Sequence, residues 1–134
     1  MSVVKIACIQ TNSTPEPDEN IASVSDLIRQ ASASGAQIIA TPEVVGMLEP
    51  NRASAILKAE PEENHRVLRA FRELARELGI WLLIGSISIK VSETKLSNRS
   101  FLINSDGAIV ARYCLLYTSP SPRDRSLSRM PSSA

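Results

Sequence analysis

Three largely apolar runs, separated by two amphipathic helical segments, constrain the fold of this chain more than any other feature of its sequence. The runs occupy residues 3–10, 37–40 and 80–91. Short apolar runs rich in β-branched residues are typical of strands. Strands that alternate with helices pair in parallel through right-handed crossovers. The sequence therefore predicts an α/β fold built on a parallel sheet.

The two helical segments have recognisable ends. Asp18 can cap a helix that runs to about Ser34, and Gly35 fits the position after its last turn. Pro61 fits the first turn of a second helix, which Gly79 ends. Apolar residues recur in both segments at steps of three and four, as an amphipathic helix requires. These residues are Ile21, Val24, Leu27, Ile28 and Ala31 in the first segment and Val67, Leu68, Phe71, Leu74, Ala75 and Leu78 in the second.

A hairpin is predicted after the third strand. Segments 98–104 and 108–113 flank Ser105-Asp106-Gly107, whose Asp-Gly pair suits a tight turn. A further short helix is predicted over residues 53–59 in the connection that follows the second strand. Leaving that short helix aside, the predicted order of elements is β-α-β-α-β-β-β.

The charge and the cysteine content exclude several classes of protein. A formal net charge of +1 argues against a surface dedicated to nucleic acid or membrane. No apolar run approaches the roughly 20 residues that span a bilayer, and the N-terminus does not resemble a signal peptide. Two cysteines, Cys8 and Cys114, do not form a disulfide framework. We therefore expect a cytoplasmic protein that binds neither nucleic acid nor membrane.

The composition changes at Cys114. Residues 114–134 are rich in serine, proline and arginine and poor in apolar residues that could be buried. Prolines at positions 120, 122 and 131 oppose a continuous helix. We predict one domain over residues 1–113 and a disordered tail over residues 114–134. An artefactual origin of this tail is left open, because it also resembles translated read-through of a sequencing adapter.

One carboxylate stands where α/β sheets carry their chemistry. Glu43 follows the second apolar run directly after Thr41 and Pro42. Pro42 cannot donate a ladder hydrogen bond, so the strand should end before it. Open α/β sheets bind ligands at the carboxyl ends of their strands. Without further information such a glutamate is more often a solvated or capping group, because a lone carboxylate needs partners to do chemistry.

Four segments together resemble the start of the carbon–nitrogen hydrolase (nitrilase) superfamily, and they span nearly all of residues 3–113. They are Val4-Lys5-Ile6-Ala7-Cys8-Ile9-Gln10, Thr41-Pro42-Glu43, Asn98-Arg99-Ser100-Phe101 and Asp106-Gly107-Ala108-Ile109-Val110-Ala111-Arg112-Tyr113. Residues 46–52 are similar to amidase-type members of this superfamily. The resemblance implies a partial α-β-β-α sandwich, of which this chain covers somewhat under half.

The resemblance also implies a reaction. Family members hydrolyse a C–N bond in a small amide or a nitrile with a glutamate, a lysine and a cysteine, and they need no metal or other cofactor. The glutamate is a general base, the cysteine thiolate attacks the substrate, and the lysine stabilises the developing charge. Glu43 matches the glutamate and is the catalytic residue that carries over. A homo-oligomeric parent enzyme is expected.

The remaining catalytic groups have no match. In the family the lysine follows the tyrosine that matches Tyr113 within two residues, where this chain has Cys114 and Leu115. The nucleophilic cysteine of the family lies on a later strand-to-helix elbow. We therefore expect a truncated and inactive member of the family. The alternatives are a non-enzymatic partner that pairs its open sheet edge with a full-length hydrolase and, more weakly supported, a flavodoxin-like binding domain.

Three other residues could suggest chemistry, and each has a simpler interpretation. Cys8 lies among apolar neighbours and is predicted to be a core residue. Cys114 lacks a neighbouring base that would activate its thiol. His65 is predicted to be a solvated surface residue in the first turn of a charged helix.

A half sandwich should also leave apolar surface exposed around Trp81, Leu83, Ile87 and Ile89.

Overall fold

The computed structural model describes residues 3–43 and 45–118, with side chains as far as Cys114. These residues form one five-stranded sheet of order β1-β2-β3-β4-β5. The elements are β1 (Ile6–Cys8), α1 (Pro17–Ala33), β2 (Ile38–Ala40), α2 (Arg52–Lys58), a 3₁₀ turn (Glu62–Asn64), α3 (Arg66–Leu78), β3 (Trp81–Ser92), β4 (Lys95–Ile103) and β5 (Ile109–Thr118). The predicted α/β class and order of long elements are confirmed.

The sheet is parallel at one side and antiparallel at the other. Strands β1, β2 and β3 pair in parallel, whereas β3, β4 and β5 form an antiparallel meander. The sequence predicted the end of the last strand at Tyr113, but β5 continues to Thr118. The predicted disorder of residues 114–134 is therefore wrong for residues 114–118, which belong to β5. The rest of the predicted tail, from residue 119 onward, lies outside the described residues, so its disorder stays a prediction.

Helices α1 and α3 pack side by side on one face of the sheet and bury the core. Their apolar stripes, as predicted, supply Val24, Ile28, Val67, Leu68, Phe71, Leu74 and Ala75, and the sheet supplies Ile39, Leu82, Ile84, Ile87, Ile89, Phe101 and Ile103. Ile87 and Ile89 are 1% exposed, so the prediction that they lie in exposed apolar surface is wrong. Within the described residues, no helix is both long and apolar enough to cross a membrane.

Helices α1 and α3 leave the opposite face of the sheet open over most of its area, and at one end of this face Leu96 packs against Ala55 of α2 and against Ala59. A single row of paired residues crosses all five strands, and its members are Cys8, Ala40, Leu83, Leu102 and Ala111. Leu83 is 43% exposed, Trp81 38% and Ile6 61%, which confirms the predicted exposure of Trp81 and Leu83. Cys8 is exposed on this face, so its predicted place in the core is wrong. Its apolar neighbours indicated a strand correctly, but only one face of that strand is covered.

Neighbouring leucines on β3 provide a direct test of this asymmetry. Leu82 is 0% exposed and Leu83 is 43% exposed. We expect Leu82→Ala to lower the free energy of unfolding by about 2–5 kcal/mol, because it leaves a cavity in the core. Leu83→Ala should cost less than about 1 kcal/mol, because it removes a side chain that is largely in water. Urea denaturation of both variants gives the comparison, and equal losses would mean that the open face is covered.

Candidate active site

Glu43 lies at the carboxyl end of the parallel strands, in the turn that follows β2. The strand ends at Ala40, two residues before Pro42, as the proline predicted. The Glu43 side chain is exposed. It forms no ion pair with any cation in the part of the chain that the structure describes, so the contacts that the structure shows at this position are those of the backbone around it.

Strand β3 holds the backbone on both sides of Glu43. The Thr41 amide donates to the Leu83 carbonyl at 2.9 Å, which continues the ladder beyond β2. The Gly85 amide donates to the Thr41 hydroxyl at 3.3 Å. On the other side of Glu43, the Val45 amide donates to the Ser86 carbonyl at 3.1 Å. Glu43 therefore occupies the apex of a turn with two fixed ends.

The Thr41–Pro42 backbone passes close over Gly85. A Cβ atom on Gly85 would stand 2.5 Å from the carbonyl carbon and oxygen of Pro42 and 2.6 Å from the Thr41 oxygen. Because side chains alternate along a strand, Gly85 faces the same side of the sheet as Leu83. The chain thus passes over the open face at Pro42 and returns to the helical side at Val45, which is fully buried.

The register of β3 changes at the same place. The pairing of β3 with β4 shifts between Ile84 and Ile87, as in a β-bulge. Bulges commonly occur beside active sites, where they redirect the backbone. The irregular part of β3 therefore coincides with the part that accepts the Glu43 turn.

A second set of bonds joins the loop after β1 to the loop after Glu43. Asn20 is 2% exposed and contacts Thr14 in the first loop and Gly46 in the second. At the surface, Lys58 donates to the Pro15 carbonyl at 3.0 Å and to the Glu49 carboxylate at 2.9 Å. The hydrogen bond with Lys58 is the main reason that the pKa of Glu49 is lowered.

His65 is buried and not solvated, so its prediction as a surface residue is wrong. It is 7% exposed, and its Nδ1 atom accepts a hydrogen bond from the Leu68 amide as the N-cap of α3. Its Nε2 atom lies 2.9 Å from the Ser88 carbonyl oxygen, which requires a proton on Nε2. Helix α3 consequently begins at Arg66, after a 3₁₀ turn, and not at Pro61 as predicted.

The cysteines do not complete a catalytic set with Glu43. Cys8 lies on the open face, and the Cys114 sulfur stands 3.0 Å from the Ser97 hydroxyl oxygen. Neither forms a hydrogen bond with Glu43 in the described ranges. Within residues 3–43 and 45–118, no three His, Cys, Asp or Glu side chains converge so that they could hold a metal ion.

Sequence reasoning missed Asn20, Gly85 and Lys58 as residues that shape this site. A signal for Asn20 was present, because it lies four and eight positions before Val24 and Ile28 and so belongs to the buried stripe of α1. Gly85 and Lys58 carried no such signal. Their roles depend on segments that are distant in sequence and adjacent in space.

Comparison with known proteins identifies relatives of this fold. Residues 5–130 match the family model described as carbon-nitrogen hydrolase. The chain is 34% identical over 112 residues to deaminated glutathione amidase from Mus musculus, which covers 81% of this chain and 34% of that protein. It is 31% identical over 115 residues to deaminated glutathione amidase from Yersinia enterocolitica, with 84% of this chain and 40% of that protein covered.

A solved amidase structure has the same fold over the matched part of this chain. A variant of the amidase from Nesterenkonia sp. AN1, crystallised in complex with butyramide, matches with a TM-score of 0.74 at 23% identity. The match covers 92% of this chain and 46% of that chain. It confirms the predicted partial nitrilase-like fold. The chain spans about a third of the length of the mouse relative and somewhat under half of the Nesterenkonia amidase.

Burial of His65 should make the stability of the chain depend on pH. Desolvation, the largest cause, lowers the pKa of His65 below its ordinary value of 6.5. The facing charges are Glu60 and Glu62, which raise the pKa, and Arg66, which lowers it. The unfolded chain therefore binds a proton more readily, so stability falls as the pH falls from 6.5 through the lowered pKa.

The variant His65→Asn tests this dependence. Asparagine can cap a helix but does not titrate in this range. We expect its free energy of unfolding, measured by urea denaturation between pH 7.5 and about 5, to lose the part of the pH slope that His65 contributes. An unchanged slope would show that His65 is not the titrating group.

Proposed function

Because the chain belongs to the carbon-nitrogen hydrolase family, we propose that it contributes the N-terminal part of an amidase that hydrolyses a small amide, with Glu43 as the general base. The observation that carries this proposal is the fixed turn at the carboxyl end of β2, which holds Glu43 at its apex. A general base must be placed within hydrogen-bond reach of the proton that it removes, so a rigid backbone with an exposed carboxylate suits this role.

The reaction that the family resemblance implies uses Glu43 twice. The carboxylate accepts the thiol proton of a cysteine, and the sulfur forms a bond to the amide carbon. Glu43 then gives that proton to the leaving nitrogen as the C–N bond breaks, which leaves a thioester. Water attacks the thioester, releases the acid and returns the thiol. A lysine stabilises the negative charge on the oxygen during both attacks.

Support for a small amide comes from the relatives. The proteins from mouse and Yersinia are named as amidases, and the Nesterenkonia amidase was crystallised with butyramide. We propose the same class of substrate for the parent of this chain, together with a cytoplasmic location, a homo-oligomeric state and no partner of nucleic acid or membrane. The 134-residue chain by itself should be inactive, because the family's lysine and nucleophilic cysteine have no match in it, and within the described ranges neither Cys8 nor Cys114 forms a hydrogen bond with Glu43.

A second candidate function is a non-enzymatic partner of a full-length hydrolase. It is favoured by the exposed apolar row on the open face and by the positions of β1 and β5 at the two edges of the sheet. Exposed edges and apolar surface promote association with another chain. Co-elution of the purified chain with a complete homologue in size-exclusion chromatography would favour this function over the first.

We expect the purified 134-residue chain to release no ammonia from butyramide above the buffer rate, and Glu43→Gln to leave that result unchanged. Turnover that disappears in Glu43→Gln would overturn the predicted inactivity. The role of Glu43 is tested in a chimera in which residues 3–113 replace the matching part of the Yersinia amidase. In this chimera, Glu43→Gln removes the proposed general base and should lower kcat by about 10²–10⁴-fold.

The matched control in the chimera is Glu73→Gln, which changes an exposed carboxylate on α3. This variant should keep the activity of the unmodified chimera. If Glu43→Gln retains activity to the same degree as Glu73→Gln, Glu43 is not the general base.

A further inference from the structure

A buried amide joins the two loops on either side of the candidate site. The Asn20 Nδ2 atom donates to the Thr14 carbonyl and to the Gly46 carbonyl, each at 2.8 Å. Its Oδ1 atom accepts from the Thr14 amide at 2.9 Å and from the Thr14 hydroxyl at 3.3 Å. Both donors and both acceptor positions of the Asn20 side chain are therefore used, although the side chain is 2% exposed.

The two loops meet at this residue. Thr14 lies between β1 and α1, and Gly46 lies three residues after Glu43. The Leu48 amide donates to the Thr14 carbonyl at 2.9 Å and adds a backbone bond between the same loops. Since α1 itself packs on the sheet, Asn20 connects the Glu43 turn to a rigid helix.

Gly46 is confined on its other side by α3. A Cβ atom at Gly46 would lie 3.1 Å from both Cγ atoms of Val67. Gly46 therefore lies between α3, which approaches it through Val67, and the Asn20 side chain, which donates a hydrogen bond to its carbonyl. Without the Asn20 donor, the buried Gly46 carbonyl would lose its hydrogen bond to Asn20, and an unsatisfied buried group is costly.

We propose that Asn20 is a positioning residue for Glu43, which rests on the proposed function of Glu43 as the general base. Strand β3 holds the turn at Thr41 and at Val45, and Asn20 adds a further support at Gly46, one residue beyond Val45. Loss of that support leaves the Val45 side of the turn held through its backbone bond to Ser86, so the Glu43 carboxylate can change direction. A displacement of about 1 Å in a catalytic group can cost roughly 100-fold in rate.

Asn20→Asp is the sharpest test, because an ionised carboxylate keeps the shape and the acceptor oxygen, donates neither bond and repels the Thr14 and Gly46 carbonyl oxygens. The matched control is Val24→Ala, which lies one turn further along the same buried face of α1 and is 1% exposed. Amide hydrogen exchange at Val45 and Leu48 is compared with exchange at Ile39 in β2, and the ¹³Cδ signal of Glu43 is recorded by NMR.

We expect Asn20→Asp to accelerate exchange at Val45 and Leu48 by tenfold or more beyond any change at Ile39, and to shift the Glu43 signal. Val24→Ala should lower protection at all three amides together and leave the Glu43 signal in place. If Asn20→Asp behaves as Val24→Ala does, Asn20 is only a stabilising residue and the proposal is overturned.

One measurement uses the unmodified chain, so it does not require a variant to fold. A scalar coupling across the hydrogen bond from the Asn20 Nδ2 atom to the Gly46 carbonyl carbon is expected, and its absence would overturn the proposal.

In the chimera, Asn20→Asp should lower kcat by tenfold or more with little change in KM. Full activity of Asn20→Asp would refute the positioning role, whereas full activity of Glu43→Gln would refute the proposed base.

Discussion

The absence of a side chain at Gly85 is the constraint on which the rest of the candidate site depends. The backbone of Thr41 and Pro42 passes over this glycine at a separation that leaves no room for a methyl group. That approach lets the chain leave the sheet after β2 on one face and return to the core at Val45 on the other. The Glu43 turn, the irregular pairing of β3 with β4 and the bond from the Gly85 amide to the Thr41 hydroxyl all occur at this close contact.

The two faces of the sheet differ in what covers them. Helices α1 and α3 bury one face, and a buried polar side chain lies near the start of each helix. Asn20 in α1 bonds to the loops at Thr14 and Gly46, and His65, the N-cap of α3, bonds to the Ser88 carbonyl of β3. The other face presents an apolar row across all five strands, and the Glu43 turn passes over that side of the sheet. The α-β-β-α sandwich that the family resemblance implies has two sheets, whereas the described residues form one. This arrangement agrees with a chain that spans less than half of the Nesterenkonia amidase.

Much of the fold could be predicted from local pattern. The apolar stripes of α1 and α3, the order of the strands and the end of β2 before Pro42 follow from periodicity and from the missing N–H group of proline. The place of Glu43 followed from the same reasoning. The side chain of Cys8 could not be placed, because an apolar run indicates a strand without showing which of its faces is covered.

The supports of the site depend on contacts between distant segments. His65 was predicted to face solvent because charged residues surround it in sequence, but the Ser88 carbonyl and the first turn of α3 satisfy both of its nitrogens. Its position three residues before Leu68 placed it on the buried stripe and was the available signal. Gly85 gave no local signal, since its role becomes visible only when β2 and β3 are side by side.

The Glu43 turn requires a glycine at position 85, and the variant Gly85→Ala tests this requirement. Gly79→Ala is the control, since a Cβ there meets no atom within 4 Å and the cost of about 1 kcal/mol comes from its positive φ of 66°. We predict that Gly85→Ala shifts the NMR signals of Thr41, Glu43 and Val45 and lowers the free energy of unfolding by about 1–3 kcal/mol, whereas Gly79→Ala leaves those signals in place. Unshifted signals and unchanged stability in Gly85→Ala would contradict this account.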